Sequence, residues 1–89
     1  MDIQGKAALV TGGGSGLGEA TARHLASLGA RVAVLDMNLD NARKVAESIG
    51  GLAVACNVAD ATSMQAAIDT AAAAHGPARI LMQIAGIGT

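Results

Sequence analysis

Between residues 11 and 18 the chain reads Thr11-Gly12-Gly13-Gly14-Ser15-Gly16-Leu17-Gly18. Glycines in this number let main-chain N–H groups approach an anion, because no Cβ holds the ligand away and positive φ is permitted. A helix beginning at such a loop adds its unpaired N–H groups and the positive end of its dipole. The linked phosphates of a nucleotide suit that environment. Strict G-x-G-x-x-G is not met, because Ser15 and Leu17 stand where that spacing needs glycine. The pattern is T-G-x-x-x-G-x-G, with Gly12, Gly16 and Gly18 as fixed members and Gly14, Ser15 and Leu17 supplying further main chain. Asp36, 18 residues beyond Gly18, brings the second piece of chemistry. Its carboxylate can accept from the 2′- and 3′-hydroxyls of a ribose, and it repels a 2′-phosphate. No Lys or Arg stands at Ser15, Met37 or Asn38, where one would pair with such a phosphate. The preference expected is NAD over NADP.

Other chemistry-bearing residues read more plainly. His24 is an ordinary helix residue, since nothing near it in sequence makes it a ligand or base. Cys56 lies in an apolar run and behaves as a small buried hydrophobe; alone, it has no internal disulfide partner. No His/Cys cluster has zinc spacing, so no metal site is expected. The four methionines fill core, and Arg43-Lys44 is a solvated helix face. Six Lys and Arg against seven Asp and Glu give a net charge of −1, without a basic stripe, and there is no Phe, Tyr or Trp. Both facts exclude nucleic-acid binding of the stacking or phosphate-tracking kinds. Hydrophobic residues make up 52% of the 89 and charged residues 15%, too apolar for disorder. No run of about 18 apolar residues is present to cross a membrane, and no signal peptide is visible, so a cytoplasmic setting is expected.

The elements that must position these groups are legible from short apolar runs and helical periods. Ala7-Ala8-Leu9-Val10 and Arg31 to Leu35 read as strands covered on both faces, and Leu52 to Cys56 and Arg79 to Ile84 as a third and a fourth strand. Between them lie three helices. In the first, Leu17, Thr21, His24, Leu25 and Leu28 fall at helical spacing, with Gly29 at its C-cap. The second starts from Asn38 or Asp40, buries Ala42, Val45, Ala46 and Ile49, and ends at Gly50-Gly51. The third starts from Asp60 or Thr62, Thr62 with Gln65 having capping-box spacing, and buries Met64, Ala67, Ile68 and Ala71 before Gly76-Pro77. Strands alternating with helices predict an α/β fold, β-α-β-α-β-α-β, with a parallel sheet of order 3-2-1-4. That is half of a doubly wound Rossmann sheet, here a single unit over 1–89.

These residues resemble the short-chain dehydrogenase/reductase family over the whole chain. Gly5 to Gly12 followed by Gly16-Leu17-Gly18 is similar to that family's opening strand and coenzyme loop, and Asp36 to its NAD-selecting acid. Asn57-Val58 stands where the family usually carries Asp-Val, whose carboxylate accepts from the adenine amino group; Asn57 offers an uncharged amide oxygen instead. Ala85-Gly86-Ile87 is similar to the end of a motif beside the adenosine ribose. Among branches, the wording Val34-Leu35-Asp36 and Ala85 to Thr89 is most similar to type II 3-hydroxyacyl-CoA dehydrogenases. The resemblance implies NAD as coenzyme and Gly12, Gly14, Ser15, Gly16, Leu17, Gly18, Asp36, Met37, Asn57, Val58, Ala85 and Gly86 as the residues around it.

The departures carry equal weight. Gln83-Ile84 replaces the Asn that precedes Ala-Gly in the family motif. The family's catalytic Ser, Tyr and Lys belong to its second half, whereas this chain has no tyrosine and its lysines, Lys6 and Lys44, stand elsewhere. No catalytic residue is therefore assigned, and the isolated chain is expected to bind coenzyme without turnover. The alternative is a truncated or engineered folding module that has lost coenzyme binding. In either case the fourth strand would be an apolar sheet edge, a template on which the chain is expected to pair with its own copy.

Overall fold

Ala7 to Thr11 form β1, buried along its whole length as an unbroken apolar run between two layers must be. The computed structural model describes residues 3–12, 16–57 and 59–83. After β1 come α1 (Gly16–Ser27), β2 (Arg31–Asp36), α2 (Leu39–Ile49), β3 (Leu52–Ala55), α3 (Ala61–His75) and β4 (Ala78–Gln83). The four strands make one parallel sheet in the order β3-β2-β1-β4. This is the α/β half-Rossmann arrangement expected from the sequence. β1 and β2 run in continuous register from Ala7↔Arg31 to Thr11↔Leu35. β1 and β4 shift register between Ala7 and Ala8, leaving Arg79 as the extra residue.

Alternate residues of the central strands face two cores. Ala8, Val10, Val32 and Val34 pack with Ala22, Leu25, Ala42, Val45 and Ala46, so α1 and α2 cover one face. Leu9, Ala33 and Leu35 pack with Cys56, Ala67 and Ala71, so α3 covers the other. The expected inner faces of α2 and α3 are in place, with Ile49, Met64 and Ile68 partly buried at their margins.

In α1 the residues at helical spacing divide between core and solvent. Its buried residues are Gly18, Ala22 and Leu25, while His24, Leu17 and Leu28 are exposed, Leu17 by 59%. The i, i+4 pair Gly18 and Ala22 and the following Leu25 form the inner stripe, and Leu17 and Leu28 lie off it. Thr21 instead donates its hydroxyl to the Leu17 carbonyl. α1 closes as expected at Gly29: the Gly29 N–H bonds to the Ala26 carbonyl and the Ala30 N–H to the Leu25 carbonyl, a Schellman pattern.

The open choices at the other helix starts resolve. Asn38 caps α2, accepting from the Asn41 N–H, and Asp60 caps α3, accepting from Thr62 and Ser63. The capping box of Thr62 with Gln65 does not form, because Asp60 is the N-cap and Thr62 lies inside the helix, and Gln65 Nε2 donates to Asp69 Oδ1 one turn on. β3 ends at Ala55, one residue before the expected Cys56, and as the outer strand it is only half-buried. Cys56 is buried, with its thiol against Met64 Sδ at 3.3 Å. β4 starts one residue early, at Ala78, and Ile84 lies outside the described residues.

Candidate functional site

The carboxyl ends of β1, β2 and β3 lie side by side, and the turns that follow them build the site. At the exit of β1, Gly12 adopts φ +69° and donates its N–H to the Leu35 carbonyl at 2.7 Å. That bond ties the entrance of the glycine loop to the strand that ends in Asp36. Gly16, the first residue of α1, has φ +57°, a left-handed backbone that L side chains avoid. A Cβ built on Gly16 would meet no protein atom within 4 Å. Among the described residues, no side chain from elsewhere in the fold crowds the Cα of Gly16. Gly18 is buried in α1, and Leu17 projects outward beside the opening. Glu19, the acid in the first turn, is paired with Arg23 at 2.8 Å, so its charge beside an incoming anion is partly offset. Thr11 is buried below the loop and its hydroxyl reaches the Met82 carbonyl at 3.4 Å.

Asp36 is the last residue of β2 and is partly buried. Its Oδ1 accepts the Asn38 N–H at 2.9 Å, and Asn38 Oδ1 in turn accepts the Asn41 N–H at 3.2 Å. The carboxylate is therefore not the cap of α2. It is held by the residue that is, so the acid and the helix start are positioned together. Met37, 71% exposed, stands beside it, and an open depression lined by Met37, Asn38, Leu39 and Asp40 lies against this turn. The main-chain role of Asn38 was missed from sequence, although its signal was there: Asp followed two residues later by a capping Asn is an Asx-turn spacing.

Asn57 follows the end of β3 and lies near the acid, since the Cys56 N–H donates to the Asp36 carbonyl at 3.0 Å. Three bonds fix it. Its N–H donates to Ser63 Oγ at 2.9 Å, its carbonyl accepts from Asp60, and its side-chain Oδ1 accepts the Ala59 N–H at 3.0 Å. The amide oxygen expected to face a base is thus already engaged in a turn. The structure brings Gly12, Gly16, Leu17, Gly18, Asp36, Met37 and Asn57 to this one edge of the sheet. Gly14, Ser15, Val58, Ala85 and Gly86 lie outside the described residues. No group of three or more His, Cys, Asp or Glu among the described residues is placed to hold a metal.

Residues 6–89 match the family model described as short chain dehydrogenase. The chain belongs to the short-chain dehydrogenase family. It is 46% identical to a D-threitol dehydrogenase of Mycolicibacterium smegmatis over 96% of its own length and 35% of that protein's. A cyclohexanol dehydrogenase of an Acinetobacter species is 42% identical, over 92% of this chain and 35% of the relative. Among solved structures, a hydroxysteroid dehydrogenase from Escherichia coli superposes with TM-score 0.92 at 34% identity, covering 98% of this chain and 38% of that one. A 3-ketoacyl-(acyl-carrier-protein) reductase from Brucella melitensis, complexed with NADH, superposes with TM-score 0.86 at 40% identity, covering 89% and 34%. The chain thus spans about a third of the length of the short-chain dehydrogenases it matches. No helix among the described residues is long and apolar enough to cross a membrane.

Proposed function

We propose that residues 1–89 form an NAD(H)-binding unit of a short-chain dehydrogenase. The observation that carries this reading is the pair of left-handed glycines, Gly12 at the exit of β1 and Gly16 at the start of α1, beside a carboxylate held at the next strand end. In this assignment the main chain of Gly12, Gly14, Ser15, Gly16, Leu17 and Gly18 receives the pyrophosphate. Asp36 accepts from the ribose hydroxyls and selects NAD over NADP. Met37, Asn57 and Val58 border the base, and Ala85 and Gly86 the adenosine sugar. When bound, the coenzyme supplies a nicotinamide ring that exchanges hydride with an alcohol or carbonyl. The 89 residues contribute binding and orientation. They contain no tyrosine to move the hydroxyl proton, so binding without turnover is the expected behaviour of the chain alone.

The parent activity we assign is NAD-dependent oxidation of a hydroxyl, which the named activities of the relatives support at that level. A 3-hydroxyacyl-CoA is the narrower substrate assignment, supported by the wording of Val34-Leu35-Asp36 and of Ala85 to Thr89. A reduced, cytoplasmic compartment fits the single free thiol of Cys56. Where the 89 residues stand alone, β4 pairs with a second copy. It is an edge strand of the described sheet, with Leu81 49% and Met82 38% exposed. NADH titration followed by nicotinamide fluorescence tests the coenzyme assignment, with no tryptophan to interfere. Saturable binding supports it. A flat titration at millimolar NADH favours the alternative of a folding module that has lost binding.

A further inference from the structure

The sheet order β3-β2-β1-β4 fixes the direction in which a dinucleotide crosses the strand ends. With phosphates at the β1 exit and a ribose at the β2 exit, the base carried by that ribose runs on toward the β3 exit. There it meets Asn57, one residue past the Cys56 amide that is bonded to the Asp36 carbonyl at 3.0 Å. This step rests on the coenzyme reading above, and it concerns what Asn57 offers to the base.

Amide side chains present an acceptor and a donor, and which one faces a ligand depends on what the other end is doing. Here the Ala59 N–H, a donor, points at the side chain of Asn57, so the oxygen must be the atom that meets it, at 3.0 Å. Turning the amide over would bring two donors together and lose the bond. Asn57 itself is exposed, and its Nδ2 has no acceptor among the described residues. The main chain of Asn57 is pinned at both ends by Ser63 Oγ and the Asp60 N–H, which keeps this arrangement from swinging away. What the Asn57 side chain leaves unengaged at the β3 exit is therefore its pair of N–H donors.

We infer that Asn57 reads the purine as a hydrogen-bond donor, so that this chain accepts a 6-oxopurine dinucleotide at least as well as the adenine one. A donor pair matches a ring nitrogen of adenine and gains nothing from the exocyclic 6-amino group. It matches the 6-keto oxygen of hypoxanthine directly. A carboxylate at the same place would do the reverse, accepting from the amino group and repelling the keto oxygen.

The test is a pair of titrations of the 89-residue chain, with NADH and with its reduced hypoxanthine analogue, read by nicotinamide fluorescence and checked by calorimetry. The expected ratio of dissociation constants lies within about threefold of unity or favours hypoxanthine. Asn57→Asp keeps an acceptor for the Ala59 N–H, so the turn survives, and it is expected to move the ratio about tenfold toward NADH. A chain that prefers NADH by tenfold or more, or an Asn57→Asp ratio that does not move, overturns the inference and leaves the coenzyme reading intact. Failure of both dinucleotides to bind overturns both.

Discussion

Replacing Asp36 by Asn changes one charge and little else. The Asn oxygen can take over the bond from the Asn38 N–H, 2.9 Å from Asp36 Oδ1, so the turn into α2 and its cap are preserved. What is lost is the anionic acceptor for the ribose. Hydrogen bonds to charged groups contribute about 1.5–3 kcal/mol against about 0.5–1.5 for neutral ones. For a partly exposed group, a loss of about 1–2 kcal/mol follows, and NADH binding weakens about 5- to 30-fold. NADPH moves the other way. Two unit charges about 4 Å apart repel by ~1 kcal/mol in water and ~4 kcal/mol near a protein surface, so removing the carboxylate relieves at least ~1 kcal/mol. The two changes add to about 2 kcal/mol or more, and the preference for NAD narrows by about 30-fold. Parallel NADH and NADPH titrations measure it, with circular dichroism confirming the fold. An unchanged NADH dissociation constant, or native chain that prefers NADPH, would contradict the ribose contact.

Three further outcomes are expected. Gly16→Val places a β-branched side chain at φ +57°, strained by about 1–2 kcal/mol, at the first residue of α1; NADH binding should be lost while the thermal melt shows a folded chain. Leu35→Ala empties a fully buried site in the core beneath α3, so urea unfolding should show a loss of about 2–5 kcal/mol. Leu81→Lys puts a charge on the exposed face of the edge strand; sedimentation should show the native chain self-associating and the variant as a monomer, and two identical profiles would contradict pairing through β4.

The parts of the fold that were legible rest on residues whose local physics leaves little choice. Unbroken apolar runs such as Leu9-Val10 and Val32 to Leu35 stabilise a chain only when both faces are covered, and that produced the parallel sheet. Glycine clusters mark where helices stop and where backbone must take positive φ, which located Gly12, Gly16 and Gly29. The inner face of α1 was legible only at Leu25, because Leu17 and Leu28 give a stronger helical period than Gly18 and Ala22. Close approach to a sheet rewards the absence of a side chain, and hydrophobicity does not register an absence. Thr62 with Gln65 had the spacing of a capping box, but Asp60 already satisfied the first N–H groups of α3. Within the candidate site, Asp36 and Asn57 were singled out by type and place. Their orientation depended on the main-chain donors of Asn38 and Ala59, and main-chain direction is fixed only by the turn itself.

The central claim is that bare main chain at the start of α1 receives the coenzyme phosphates while Asp36 holds the adjoining ribose. A crystal structure grown with saturating NADH tests it most directly. Density for the pyrophosphate against Gly12 and Gly16, with the ribose hydroxyls within hydrogen-bond distance of Asp36, is the expected result. A glycine turn filled by a side chain, or coenzyme bound elsewhere on the chain, would contradict it.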